Sequence, residues 1–132
     1  MEEKSKEEKS KQKILIIEDE ATLQKALQEV LTAEGYNTLS ALDGLRGLEM
    51  AREENPELIL LDIILPKMDG FEVLGALKSE EKTKSIPVII LTNLSDVSDI
   101  QKALDLGATT YLVKADFSLE DVIKKVKETL EF

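Results

Sequence analysis

Glu18, Asp19 and Glu20 follow the short apolar run Ile14–Ile17, Asp62 follows Leu58–Leu61, Thr92 follows Val88–Leu91, and Lys114 follows Thr110–Val113. Taken singly, each is ordinary: an acid after a strand caps a helix, a threonine sits in a turn, and a lysine is solvated. If the runs are neighbouring strands of one sheet, however, these side chains meet on a single rim. Carboxylates brought that close repel one another, so they require raised pKa values or a cation. An all-oxygen cluster suits a hard ion, and Mg²⁺ typically takes one or two carboxylates, waters and a phosphate oxygen. A carboxylate is also a nucleophile toward phosphorus, giving an aspartyl phosphate. Lys114 and the Thr92 hydroxyl would then neutralise and hydrogen-bond the phosphoryl oxygens.

The intervening segments say how the rim is built. Leu23, Leu27, Val30 and Leu31, and later Leu119, Val122, Ile123, Val126 and Leu130, recur near the helical period. Gly35 and Gly107 stand where helices end in the left-handed conformation. Asp69 with Glu72, and Ser118 with Asp121, read as N-caps with an acidic third position. Pro56 and Pro87 precede strands and Pro66 follows one. With Asn37–Ala41 as the remaining run, the pattern is (βα)5, an α/β fold with right-handed crossovers and helices on both faces of a parallel sheet. The runs Ile14–Ile17, Leu58–Leu61 and Val88–Leu91 are solidly apolar, as strands covered on both faces are. Asn37, Thr38, Ser40, Thr109 and Thr110 mark the second and fifth strands as edges. The predicted architecture is therefore a flavodoxin-like, doubly wound five-stranded sheet in the order 2-1-3-4-5. Its ligand crevice lies beyond the carboxyl ends of strands 1 and 3.

Composition narrows the function. The chain has 132 residues, 42 % hydrophobic and 33 % charged, which fits one ordinary globular domain. Lys and Arg number 17 against 27 Asp and Glu, a net charge of −10, which disfavours nucleic acid and anionic membrane as partners. With neither Cys nor His, there is no disulfide, thiolate or imidazole chemistry. No apolar run is of membrane-spanning length, and the first dozen residues are Glu- and Lys-rich rather than a secretory signal. Residues 1–12 read as a charged, disordered tail and 13–132 as the domain, with a cytoplasmic location expected. Acids occupy the turn after strand 1, so no Gly-rich phosphate loop follows it. Ile63 and Ile64 after Asp62 also exclude the two-aspartate pattern of haloacid-dehalogenase-type phosphatases.

At these positions the sequence resembles the receiver domain of bacterial two-component response regulators, from Lys13 to about Phe132. The matching stretches are Ile14-Leu-Ile-Ile-Glu-Asp-Glu20, Leu61-Asp-Ile-Ile-Leu-Pro-Lys-Met-Asp-Gly70, Val88-Ile-Ile-Leu-Thr92 and Gly107-Ala-Thr-Thr-Tyr-Leu-Val-Lys114. The resemblance implies that Asp62 is the phosphoacceptor and that Glu18 and Asp19 hold Mg²⁺, or Mn²⁺ in its place, with Asp62 and the Ile64 carbonyl. It implies that Lys114 pairs with the phosphoryl group, that Thr92 is the switch hydroxyl and that Tyr111 is the switch aromatic. Many relatives carry Pro after the lysine, often with a cis peptide; Ala115 and Asp116 follow here, so a trans Lys114–Ala115 bond is expected. Asn93 and Ile64 are further departures beside the site, and Gly47 and Gly75 interrupt the second and third predicted helices.

The implied function is a phosphorylation-dependent signalling switch, whose output face is helix 4, strand 5 and helix 5. It is not an enzyme beyond handling its own phosphoryl group. The implied partners are a sensor histidine kinase or phosphotransfer protein and a downstream protein, with the chain a monomer or weak dimer. No effector segment is expected beyond the last helix. The alternatives are a small Mg²⁺-dependent phosphatase and a receiver-like module that binds without phosphorylation. Lys114 is expected to be an exposed rim residue that contributes little packing.

Overall fold

The computed structural model describes residues 12–131, so the tail expected at 1–12 lies almost wholly outside the described residues. The strands are β1 (Lys13–Ile17), β2 (Asn37–Ala41), β3 (Leu58–Leu61), β4 (Val88–Thr92) and β5 (Thr110–Val113). They form one parallel sheet in the order β2-β1-β3-β4-β5, as the strand compositions predict. The helices are α1 (Ala21–Ala33), α2 (Gly44–Glu54), α3 (Gly70–Ser79), α4 (Val97–Asp105) and α5 (Leu119–Leu130).

Because side chains alternate across a strand, the sheet supplies two separate cores. Leu15, Ile17, Ile59, Leu61, Val88 and Ile90 pack with Leu48, Ala51, Val73, Leu74, Leu77 and Ala103 of α2, α3 and α4. Ile14, Ile16, Leu58, Leu60, Ile89 and Leu91 pack on the other face with Leu27, Leu31, Val122 and Val126 of α1 and α5. β3 is buried throughout and β1 from Ile14 onward, which is why their carboxyl ends make a rigid base for a site.

The helix boundaries follow local chemistry. Capping boxes start α3 at Asp69 with Glu72 and α5 at Ser118 with Asp121. Asp43 caps α2 by accepting the Arg46 N–H. Gly35 and Gly107 take φ of 97° and 109°, the left-handed turn that ends α1 and α4 cheaply only at glycine. Gln12, assigned by composition to the charged segment, is buried, and its carbonyl accepts the Asn37 N–H at the start of the sheet. Among the described residues all peptide bonds are trans, Lys114–Ala115 included. None of the described helices is long and apolar enough to cross a membrane.

The two interior glycines separate cleanly. A Cβ on Gly47 would stand 2.6 Å from Ile17 Cδ1, so α2 needs glycine to lie against β1. A Cβ on Gly75 would meet nothing within 4 Å. Gly75→Ala should therefore stabilise the fold by about 1 kcal/mol through helix propensity. Gly47→Ala should destabilise it by about 1–3 kcal/mol through overpacking. Thermal melts of the two variants should move in opposite directions.

Candidate functional site

Parallel register delivers the site residues. Ile17 pairs with Leu61 and Thr92 with Val113, so Glu18, Asp62 and Lys114 leave their strands on one rim. One carboxylate oxygen from each of Glu18, Asp19 and Asp62 lies within 4.8 Å of the others; Glu18 and Asp62 are buried and Asp19 is exposed. The Lys114 ammonium reaches over from β5, with Nζ 2.8 Å from Glu18 Oε1, 2.8 Å from Asp62 Oδ2 and 3.7 Å from Glu20 Oε1. The expectation of a solvated rim lysine is corrected here. Its side chain is only 13 % exposed, because the two buried carboxylates draw it down into the pocket.

The second oxygens of Glu18 and Asp62 are also held. Asp62 Oδ1 accepts the Ile64 N–H at 3.1 Å, and Glu18 Oε2 accepts the Glu20 N–H at 3.0 Å. Burial pushes the Glu18 carboxyl up; the Lys114 and Glu20 hydrogen bonds oppose this, and the Asp62 charge adds to it. For Lys114, burial pulls the ammonium down, but the hydrogen bonds and charges of Asp62 and Glu18 outweigh it and leave its pKa raised. With three carboxylates against one ammonium, the ionised pocket stays negative. Its donors are all hard oxygens, two of them preordered by backbone hydrogen bonds, and this set fits Mg²⁺ or Mn²⁺.

Thr92 and Tyr111 lie beside the cluster rather than in it. Thr92 is fully buried, and its Oγ1 makes a long 3.5 Å contact with the Leu94 N–H. The half-buried Tyr111 donates its hydroxyl to the Leu94 carbonyl at 2.8 Å. Burial, and then the charges of Asp99, Asp62 and Asp96, raise the Tyr111 pKa. Both expected switch residues therefore hold Leu94 of the β4–α4 loop, Thr92 at its N–H and Tyr111 at its carbonyl.

Three residues that shape the pocket were not anticipated. A Cβ on Gly70 would stand 2.3 Å from the Asp62 carbonyl oxygen, and one on Gly44 would stand 1.7 Å from that of Met68. These glycines let the loop after β3 fold tightly behind Asp62. The third is Gln24, a fully amidic side chain only 4 % exposed. Its sequence signal was available: it lies three and seven residues before Leu27 and Leu31, on the buried stripe of α1.

Residues 14–127 match the family model described as the response regulator receiver domain. The chain belongs to this family. A receiver domain is an element of two-component signalling and not a metabolic enzyme. A probable transcriptional regulator ycf27 of Porphyridium aerugineum is 41 % identical over 120 residues, which is 91 % of this chain and 48 % of that protein. The chain thus spans about half the length of the first such curated relatives. Sporulation initiation phosphotransferase F of Bacillus subtilis is 38 % identical over 90 % of this chain and 94 % of its own length. Among solved structures, the receiver domain of sensor histidine kinase PA1611 from Pseudomonas aeruginosa PAO1 superposes with a TM-score of 0.80 at 26 % identity, covering 89 % of this chain and 95 % of that one. That structure carries a magnesium ion in its active site cleft.

The charge balance of the pocket predicts opposite effects from two variants measured without divalent ions. Lys114→Ala leaves two buried carboxylates facing each other and should destabilise the domain by about 1–3 kcal/mol; the pocket's partial opening to solvent keeps this below the cost of a fully buried pair. Glu18→Gln should raise the melting temperature at pH 7. The sign follows from the raised Glu18 pKa: the folded protein binds that proton more readily than the unfolded chain, so ionised Glu18 opposes folding above its folded pKa. That advantage should vanish as pH falls below the ordinary glutamate range. Melts of both variants across pH check the account.

Proposed function

We propose that this receiver domain accepts a phosphoryl group on Asp62 and uses Glu18, Asp19, Asp62 and the Ile64 carbonyl to hold Mg²⁺, for which Mn²⁺ can substitute. The observation that carries the proposal is Lys114 Nζ at 2.8 Å from Asp62 Oδ2, within a cluster of carboxylates too close to ionise together without compensation. When bound, the cation neutralises the carboxylates and offers a positive centre to the phosphoryl oxygens.

The reaction of this chain's own residues is a phosphoryl transfer. An Asp62 carboxylate oxygen attacks the phosphorus of a phosphohistidine or small phosphodonor, the bond from phosphorus to the donor breaks, and the donor leaves with the electron pair. The product is an acyl phosphate. Lys114 can then turn from the carboxylate it now holds to a phosphoryl oxygen, keeping one ion pair throughout.

Thr92 and Tyr111 convert that event into a surface change. Turning the Thr92 hydroxyl toward the phosphoryl group gives up its contact with the Leu94 N–H, and the Leu94 carbonyl is the acceptor for Tyr111. A shift of Leu94, whose two flanking peptide groups carry these contacts, alters the packing of Tyr111 beside α4, which biases a two-state element. The output face on this reading is α4, β5 and α5. Partners are a histidine kinase or phosphotransfer protein upstream and a protein downstream. The net charge of −10 supports protein rather than nucleic acid as the direct contact.

Incubation with Mg²⁺ and a small phosphodonor should add one phosphoryl mass to the intact protein, and Asp62→Asn should abolish the gain. Peptide mapping of the acyl phosphate to Glu18 or Asp19 would refute the assignment. In the phosphorylated protein, amide shifts should extend through residues 93–117. They should contract to the pocket in Thr92→Ala and Tyr111→Ala, which still take up phosphate.

A further inference from the structure

Gln24 touches no carboxylate of the pocket, yet it gathers the backbone that carries them. Its Nε2 lies 3.0 Å from the Ile16 carbonyl oxygen, 3.2 Å from that of Ala41 and 3.4 Å from that of Glu18. Its backbone N–H donates to the Glu20 carbonyl at 2.9 Å. One residue thereby ties together the end of β1, the end of β2 and both sides of Asp19. The Ala41 carbonyl also accepts the Glu18 N–H at 3.1 Å, so the two clamps share an anchor. The start of α1 has no side-chain cap of its own, since Glu20 makes no capping hydrogen bond. Gln24 Oε1, meanwhile, is buried and has no hydrogen-bond partner among the described residues. An orphaned buried acceptor is unfavourable, and an aliphatic residue on the Leu27–Leu31 stripe would avoid it. The amide is retained at a net loss on that side, so its value lies in its donors.

We propose that Gln24 is a positioning residue for divalent-cation binding at the acidic pocket, fixing the β1–α1 loop so that the Glu18 and Asp19 carboxylates converge beside Asp62. This rests on the reading of that pocket as a cation site. A residue that only completed the sheet's hydrogen bonding would affect stability and leave cation affinity alone. The test is calorimetric titration of Mg²⁺ into the wild type, Gln24→Met, Asp19→Asn and Val126→Ala, the last a core-cavity control on α5 with a comparable stability loss.

Asp19→Asn should lose binding, Gln24→Met should weaken it by about tenfold or more, and Val126→Ala should stay within about twofold of the wild type. Gln24→Met within about twofold of the wild type, while Asp19→Asn loses binding, would overturn this inference alone. Absence of Mg²⁺ binding in the wild type would overturn the cation site and this inference with it. Should Gln24→Met fail to fold, the wild type still decides. The side-chain amide resonances of Gln24 should shift during the Mg²⁺ titration with the same midpoint as the Glu18 and Asp19 backbone amides, and resonances that stay put would refute the proposal.

Discussion

One ammonium set among three carboxylates is the constraint on which the rest of this molecule depends. Lys114 spans from the end of β5 to Glu18 just after β1 and Asp62 just after β3, crossing the end of β4 where Thr92 sits. That reach is possible only because the sheet order puts β1 and β3 side by side and the parallel register ends all four strands on one rim. The ammonium offsets part of the repulsion and no more, so the folded state carries a built-in demand for further positive charge. The same imbalance makes the pocket responsive, because a change of charge there alters the balance of the whole rim.

Rigidity and mobility are divided to suit this arrangement. The acid-bearing loops are pinned by Gln24 behind β1 and by the close approach of Gly70 to the Asp62 carbonyl. The β4–α4 loop is tied down more lightly, through the long Thr92 contact and the Tyr111 hydroxyl, both on Leu94. On the proposed reading, a charge event at Asp62 would act on a fixed pocket and a loop with few ties, and the loop is the part that would yield. Val97, 80 % exposed at the start of α4, lies just beyond it, on the face where a partner would feel the change.

Much of this was legible in the sequence, for identifiable reasons. The strands β1, β3 and β4 announce themselves as unbroken apolar runs because both their faces are covered, and the polar edges Asn37–Ala41 and Thr110–Val113 fix the strand order. Glu18, Asp62 and Lys114 each directly follow a strand run and Asp19 follows Glu18, which is why their meeting on one rim could be anticipated. Two things were not legible. The burial of Lys114 depends on a contact across 52 residues of sequence to Asp62, which no local pattern records. The roles of Gln24, Gly44 and Gly70 depend on backbone atoms of other elements, and a backbone carbonyl leaves no mark in the residue letters. Gly47 is similar: its reason is the bulk of Ile17 on a neighbouring strand.

The central claim is that the fold carries an uncompensated acidic pocket that a divalent cation completes, and melting the protein with and without Mg²⁺ tests it most directly. A cation that binds only the folded state should add about 2.7 kcal/mol at roughly 100 times its dissociation constant, raising the melting temperature of the wild type by several degrees. Asp19→Ala should lose that gain. An unchanged melting temperature for the wild type in millimolar Mg²⁺, with Asp19→Ala equally indifferent, would contradict the account.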